Sequence, residues 1–198
     1  MLLITIVIYG GENLPAKKVI SKESIIEAAL EIVRKEGIEG LNMRTLANAC
    51  NCSTQPIYLS FNGVDELKSE VKKRIIEIYR DYRKREITLN AYPEFKAVGM
   101  SYIRFAKEES QFFKYLFMRN RSEEKYDEME SEFQTETSVL TNLYDIKGNL
   151  ANQLHIHMWV WVHGIATMYA TGYLNWEWQT VSEMLTDAFI GIKTHLEN

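Results

Sequence analysis

An all-α fold is predicted by two features of this sequence. Its 198 residues include three prolines, so long stretches of helix-forming residues run without the residue that most strongly interrupts a helix. Within these stretches, apolar residues recur every three or four positions, which places their side chains on one face of an α-helix. We expect a short tail (residues 1–20), a three-helix domain (residues 21–66) and a larger helical domain (residues 67–198).

The first helix of the three-helix domain is predicted to begin at Ser21 or Lys22 and to end at Lys35 or Glu36, just before Gly37. Glycine commonly follows the last residue of a helix because it adopts left-handed backbone conformations at little cost. The helix has an apolar stripe that should cover the other two helices, formed by Ile25, Ala28, Ala29, Ile32 and Val33.

The second and third helices lie within residues 42–61 and are separated by a tight turn. Asn42 is a favourable N-cap for the second helix, and Asn51 suits the turn because asparagine tolerates left-handed backbone conformations. Ser53 is a candidate N-cap for the third helix, which places Pro56 in the first helical turn, where the missing N–H removes no hydrogen bond. Two short helices joined in this way are typical of a helix-turn-helix unit.

The third helix has an apolar side and a polar side. Ile57 and Phe61 are one turn apart and should be buried. Four residues should face outward: Ser53, Thr54, Gln55 and Tyr58. Glutamine pairs well with adenine and threonine can contact the thymine methyl group, so Thr54 and Gln55 are candidates for reading base edges. The alternative is that the serine only caps the helix and the tyrosine only packs.

Two residue patterns in this region form a recognisable combination. They are Ser24-Ile25-Ile26-x-Ala28-Ala29 with Gly37, and Arg44-x-Leu46-Ala47, Ser53, Ile57-Tyr58-x-x-Phe61 with Leu67. The combination resembles the first helix and the helix-turn-helix of the TetR family of bacterial transcriptional repressors. The resemblance implies that Tyr58 contacts DNA phosphates and that Arg44 and Thr45 assist from the preceding helix.

The sequence departs from that family at two positions. Asn51 stands where the family usually has glycine in the turn, and Val64 stands near a lysine that usually contacts phosphate. Lys68, or Lys17 and Lys18 before the first helix, would then have to supply this contact. Phosphate contacts add salt-dependent affinity without sequence information. The alternative for the two N-terminal lysines is a solvated tail.

The distribution of charge agrees with a DNA-binding N-terminal domain. The chain has a net charge of −4, but residues 15–85 carry +4 and residues 86–198 carry −7. A basic module on an acidic body is what a DNA-binding protein with a separate regulatory domain would show.

A long helix is predicted from Asp65, its candidate N-cap, to about Arg85. Its apolar residues are spaced three or four apart, at Leu67, Val71, Ile75 and Ile78. Such a helix can join the two domains and transmit movement between them, with residues 88–93 as the boundary. Beyond it we expect two aromatic-rich helices between residues 92 and 118, the second capped by Ser110, then a helix to about residue 143 and helices over 150–171 and 178–196.

The run Trp159-Val160-Trp161-Val162-His163-Gly164 resembles the WHG-type C-terminal domain of one branch of TetR-like proteins, through Trp161, His163 and Gly164. An aromatic helix packed against other aromatic helices can line an apolar pocket with a few polar groups. The candidate pocket residues are Tyr102, Phe105, Phe113, Phe117, Trp161, His163, Met168 and Tyr169. The alternative is that these residues form simple core.

The resemblance also implies a two-fold homodimer in which the last two helices form a four-helix bundle. The apolar positions of these helices include Leu154, Met158, Trp161, Trp178, Val181, Leu185, Ala188, Phe189 and Ile192. One short recognition helix reads too few base pairs for useful specificity, which is a second reason to expect a dimer.

These observations favour a repressor that a small apolar or aromatic effector releases from a palindromic operator. The alternative is a helical-bundle adaptor, or an enzyme, that has lost operator binding. We expect no cofactor and no metal, because His155 and His157 cannot share one helical face and no nucleophile with a recognisable base is present. No apolar run reaches the roughly 18 residues of a membrane span.

The remaining expectations concern location and the N-terminus. Cys50 and Cys52 are the two cysteines, and we interpret them as small packing residues in a reducing cytoplasm rather than as a redox switch. Residues 1–13 do not fit the pattern that follows, and translation from an upstream start codon, with Leu14 as the native start, would account for them. An ordered arm is the alternative.

Overall fold

The computed structural model describes residues 20–120, 137–142, 144–146, 148–173 and 175–198. The predicted tail, with Lys17 and Lys18, and the charged segment 121–136 lie outside these ranges. Within these ranges, eight α-helices have defined bounds, and residues 137–142 are helical as well. The helices are α1 (Lys22–Glu36), α2 (Met43–Ala49), α3 (Gln55–Ser60), α4 (Val64–Leu89), α5 (Glu94–Glu108), α6 (Ser110–Phe117), α7 (Asn149–Ala170) and α8 (Trp178–Glu197).

The predicted all-α fold is confirmed, since the described residues contain no strand. None of the helices in these ranges is long and apolar enough to cross a lipid bilayer.

The start of α2 shows why this part of the chain folds as the sequence predicts. Asn42 Oδ1 accepts hydrogen bonds from the backbone N–H groups of Arg44 and Thr45, both at 3.0 Å. The Thr45 hydroxyl in turn accepts one from the Asn42 N–H at 3.1 Å, which completes a capping box. After α2, Asn51 has φ of +50°, so it occupies the left-handed region as expected.

The predicted start of the recognition helix was wrong by about one residue. α3 begins at Gln55, the cap position is Thr54 rather than Ser53, and no side chain makes a cap hydrogen bond there. Pro56 lies in the first turn as predicted and compensates for the missing cap, because its ring fixes φ near the helical value without removing a hydrogen bond.

Helix α4 extends from the helix-turn-helix into the C-terminal domain, and it differs from the prediction at both ends. It begins at Val64, so Asp65 lies inside its first turn, and it ends at Leu89, four residues beyond Arg85, before a left-handed Asn90. Glu66, rather than Asp65, stabilises the helix start by accepting hydrogen bonds from the backbone N–H and the side-chain amide of Asn62.

The buried face of α4 continues at a four-residue spacing. Leu67, Val71 and Ile75 are buried as predicted, and the next buried residue is Tyr79 rather than Ile78. Tyr79 lies two turns further along the helix than Val71, and its ring lies against α5 through Phe105 at 5.3 Å between ring centroids. The helix therefore contributes to the core of both domains.

Helix α5 is the centre of the C-terminal domain and is buried on most of its surface. An ion pair joins it to α4, from Arg104 Nε to Glu86, whose side chain is 2% exposed. The guanidinium group of Arg104 also lies 4.3 Å from the centre of the Trp178 ring on α8. A buried carboxylate must be paired, so this contact fixes how α4, α5 and α8 pack together.

Helix α6 connects the C-terminal domain back to α1. Glu109 rather than the predicted Ser110 occupies its cap position and makes no side-chain cap hydrogen bond. Its carboxylate accepts a hydrogen bond from Arg34 Nε of α1 at 2.8 Å. The same arginine lies 4.9 Å from the centre of the Phe112 ring. Besides α4, the contact between α6 and α1 therefore connects the C-terminal domain to the three-helix domain.

Candidate functional sites

The outer surface of the helix-turn-helix carries the residues that the sequence predicts for DNA contact. Ser53, Thr54 and Gln55 are exposed, and Tyr58 is 55% exposed. Ile57, on the opposite side of α3, is fully buried and fixes the helix in the domain. The polar residues are thus presented to solvent by a helix whose position the core determines.

Sequence reasoning missed one residue on this surface. Leu59 is 82% exposed, although it belongs to the same short helix as the buried Ile57. A large apolar side chain so fully exposed next to polar residues is suited to contact thymine methyl groups. The sequence could have indicated this exposure, because Leu59 lies two residues after Ile57 and therefore on the outward side of the helix.

The residues predicted to contact phosphate fall into two groups. Arg44 is exposed and Lys68 is half-buried. The Thr45 hydroxyl oxygen lies 2.8 Å from the Gly40 carbonyl oxygen and 3.0 Å from the Asn42 carbonyl oxygen, so either can accept its proton. A hydroxyl has one proton to donate, so that of Thr45 is already used within the start of α2 and the residue serves first as part of the cap.

A cavity of about 460 Å³ lies in the C-terminal domain between α4, α5, α7 and α8. Most of its lining is aromatic or aliphatic, a composition typical of small-molecule sites. The described lining residues are Tyr79, Pro93, Phe95, Lys96, Val98, Gly99, Tyr102, Tyr144, His155, Met158, Trp159, Val162, Leu185, Thr186 and Phe189.

Gly99 explains how the helices come close at one wall of the cavity. A Cβ atom added at Gly99 would lie 3.1 Å from Val162 Cγ2 on α7 and 3.8 Å from Leu185 Cδ1 on α8. Glycine at this position lets α5 approach both helices, so the cavity is formed by the larger side chains on either side of that contact.

The polar groups of the cavity have defined partners. The Tyr102 hydroxyl and His163 Nδ1 are hydrogen-bonded at 2.9 Å, and burial lowers the pKa of His163, which favours the neutral ring at physiological pH. The Thr137 hydroxyl and His155 Nδ1 are 2.8 Å apart. Lys96 Nζ donates to Thr186 Oγ1 at 2.7 Å, and it is the cation of the described lining.

The predicted pocket residues are only partly in this lining. Tyr102 lines the cavity, and three predicted residues form an aromatic layer behind it: Phe105, Phe113 and Phe117. His163 reaches the cavity through Tyr102. The three phenylalanines and His163 therefore support the cavity wall from behind, while Tyr102 forms part of it.

Three other predicted pocket residues lie outside the lining. Trp161 is 46% exposed on the outer side of α7 and is not among the described residues that line this cavity. Tyr169 is buried and its hydroxyl donates to the Trp176 carbonyl oxygen at 2.6 Å, while Met168 is half-buried beside it. The α7 residues that do line the cavity are His155, Met158, Trp159 and Val162.

The histidines of α7 point to different surroundings. His155 is buried, whereas His157 is exposed, as expected for residues two apart on a helix. Within the described ranges, no group of three or more His, Cys, Asp or Glu residues is arranged to hold a metal ion.

An apolar surface remains exposed on the last two helices. On α7 it contains Ile156, Val160 and Trp161, and on α8 it contains Ile190. A Cβ atom added at Gly164 would meet nothing within 4 Å, so this glycine leaves open space on the helix surface, one turn beyond Val160. Four of the apolar positions named for these two helices are buried within the chain: Leu154, Met158, Val181 and Leu185.

The exposed apolar residues and the buried ones lie on different sides of the last two helices. The four buried residues lie on the inner sides of α7 and α8, because burying those sides against α5 forms the core of the C-terminal domain. Ile156 and Val160 are one turn apart on the opposite side of α7 and are available for contact with another chain.

Comparison with known proteins agrees with this architecture. Residues 95–190 match the family model described as "Tetracyclin repressor-like, C-terminal domain", and this range contains Trp161, His163 and Gly164. The HTH-type nicotine-responsive transcriptional repressor HdnoR of Paenarthrobacter nicotinovorans is 25% identical over 56 residues, which are 28% of this chain and 29% of that protein. The match thus spans less than a third of the relative's length.

A helix-turn-helix at the N-terminal end of a helical C-terminal domain defines a class of transcriptional regulators. Residues 95–190 match the C-terminal domain of this class and a shorter stretch is similar to a repressor, so the chain is similar to the TetR family.

Proposed function

We propose that the protein is a homodimeric repressor that binds a pseudo-palindromic operator through α3 and is released by a small, largely apolar effector bound in the cavity. The observation that carries this proposal is the continuity of α4. Its Leu67 and Val71 are buried in the first turns of the helix, directly after α3, and its Tyr79 lines the cavity. A molecule that displaces Tyr79 therefore acts on the helix that holds the DNA-binding domain.

Helix α6 supplies the second connection. Tyr102 lines the cavity and lies 5.2 Å from Phe113 and 4.8 Å from Phe117, measured between ring centroids. From α6, Glu109 bonds to Arg34 on α1. The cavity wall and α1 are thus joined by packed rings and one charged hydrogen bond.

Release requires the effector to distinguish two conformations. It must bind more tightly to a conformation in which the two recognition helices no longer match the two half-sites of the operator. The ratio of its affinities for the two conformations limits how far it can weaken DNA binding. Those half-sites are about 34–36 Å apart, or a multiple of that distance. The two connections from the cavity to α1 and α4 provide the means of changing this spacing.

The function of the similar repressor also supports the proposal. That protein is a nicotine-responsive repressor, which supports the assignment of repression by a small molecule to this chain. The short region of similarity does not extend to the choice of effector, so the cavity of this chain must be considered by itself.

The first prediction concerns operator binding. In an electrophoretic shift assay on the DNA around its own gene, the protein should form a sequence-selective complex. With six to ten phosphate contacts, its affinity should fall by about 10³- to 10⁵-fold between 50 and 200 mM salt. A helical-bundle adaptor or an enzyme would show no selective complex, and this result would contradict the proposal.

The second prediction concerns the contact between α1 and α6. Glu109→Gln should change the operator affinity of the ligand-free dimer by roughly 2- to 30-fold, because it removes the charge that holds α6 against α1, and residues in such networks modulate coupling by about 0.5–2 kcal/mol. Fluorescence anisotropy with labelled operator DNA measures the change.

Glu31→Gln is a matched control for this substitution. Glu31 also pairs with Arg34, but from within α1, so losing it should leave α6 in place and operator affinity nearly unchanged. Equal effects of the two substitutions would show that the α1–α6 contact has no special role.

A further inference from the structure

The cavity contains a charged group whose surroundings favour a particular kind of ligand. Lys96 belongs to the first turn of α5, and its Nζ lies 2.7 Å from Thr186 Oγ1 and 5.1 Å from the centre of the Tyr92 ring. An ammonium group has three protons to donate. The Thr186 hydroxyl accepts one of them, and donates its own proton to the Ser182 carbonyl oxygen at 3.1 Å.

Lys96 makes no ion pair with a carboxylate of the described residues. Glu183 is the carboxylate whose charge acts on it, but it lies beyond ion-pair distance and accepts a hydrogen bond from Gln179 at 2.8 Å. Burial lowers the pKa of Lys96 and outweighs the opposing effect of Glu183. The ammonium group is therefore partly dehydrated without a direct counter-ion.

The rest of the lining restricts the ligand further. None of the described lining residues is Asp or Glu, so the described wall offers a cationic ligand no counter-ion, and Lys96 would repel it. A neutral apolar ligand would dehydrate Lys96 further without supplying an acceptor, which costs free energy. An anion with an apolar body avoids both costs.

We propose that the effector is an aromatic or alkyl carboxylate, with its carboxylate on Lys96 and its hydrocarbon body among Phe95, Trp159 and Phe189. This inference rests on the proposed function, since it takes the cavity as the effector site. Thr186 holds the lysine in place, and the rings of the cavity enclose the apolar part of the ligand.

The test compares ligands that differ in charge and little in shape. Isothermal titration calorimetry would measure binding of 2-naphthylacetate, its primary amide and 2-(2-naphthyl)ethylamine, and of decanoate and its amide, to the full-length protein. Each acid should bind about tenfold or more tightly than its amide, because a hydrogen bond to a charged group is stronger than one to a neutral group. The amine should bind most weakly.

Two lysine substitutions locate the effect. Lys96→Met keeps much of the side-chain length and should abolish the preference for the acid, whereas Lys96→Arg should retain it. Lys107→Met is the matched control: it lies on the same helix, over the Tyr169 ring at 5.1 Å and outside the cavity lining, so the preference should be unchanged. If Lys96→Met fails to fold, Thr186→Val provides the second test and should lower acid affinity several-fold.

Each contrary result overturns the inference. These results are equal binding of acid and amide to the unaltered protein, tighter binding of the amine, an acid preference that survives Lys96→Met, or no binding by either acid. The proposed function is judged separately by the operator complex of the same preparation. If the acids bind as expected but do not release DNA, the carboxylate site stands and the effector role fails.

Discussion

Replacing Thr54 and Gln55 together by alanine should abolish sequence-specific operator binding and leave the fold intact. Both side chains are exposed on the surface of the helix-turn-helix, so their removal leaves the core unchanged. A good contact between a side chain and a base contributes about 1–3 kcal/mol of discrimination, and a dimer loses each contact twice. Operator affinity should therefore fall by about 10³-fold or more, toward the non-specific level.

Competition between operator and scrambled DNA in fluorescence anisotropy measures this loss. Circular dichroism and the midpoint of thermal unfolding show whether the fold is retained. Ser60→Ala serves as the control on the same helix, because the Ser60 hydroxyl donates to the Pro56 carbonyl oxygen at 3.2 Å and lies at the far end of α3. An unchanged footprint in the double variant would show that α3 does not read the operator.

Leu59 belongs to the same surface, but apolar contact gives it a different role from Thr54 and Gln55. Its exposure cannot be explained by packing within the chain, since Ile57 and Phe61 already fill the inner side of α3. Exposed leucines are common on protein surfaces, so the exposure of Leu59 points to a function only because Leu59 lies beside residues suited to read bases.

The helices themselves could be predicted from sequence because their signals are local. Asn42 and Gly37 are examples: the first caps α2 through its own side chain, and the second follows α1 with φ of +77°. Where a boundary lacked such a signal, the prediction shifted. The start of α3 has no side-chain cap, and Ser53 and Thr54 are both favourable capping residues, so the sequence alone does not fix which of them precedes the helix.

The cavity was harder to predict because it depends on how four helices meet. Helix α7 is apolar on most of its surface, so its composition does not show which aromatic residue faces inward. Trp159 lines the cavity and Trp161 does not, although both lie in the same run. Spacing does not separate them, because Trp159 follows His155 by four residues and Trp161 follows Met158 by three, so each lies on a face with other inward residues.

The role of Lys96 was also not visible in the sequence. A lysine in the first turn of a helix usually extends into solvent. What distinguishes this one is Thr186, which is 90 residues away in the chain and within hydrogen-bonding distance in the fold. Such a pair can be recognised only when α5 and α8 have been placed together.

Val160→Asp should convert the protein to a monomer and reduce operator affinity by about 100-fold or more. Val160 is 59% exposed, so the substitution does not disturb the core of the chain. In the dimer, however, a carboxylate at this position would be buried among apolar residues, where an unpaired charge costs several kcal/mol. Gly164, one turn away, leaves room for the partner's helix to approach, so Val160 should lie near the closest contact.

Sedimentation equilibrium should show the variant at 23.1 kDa, the mass of one chain, and the unaltered protein at twice that mass. Leu89→Asp is the matched control, since Leu89 is equally exposed at 59% but lies at the end of α4. It should remain dimeric and bind DNA normally. A monomer presents one recognition helix to one half-site and loses the contacts of the other. A dimeric Val160→Asp variant with normal operator affinity would place the interface elsewhere on the chain.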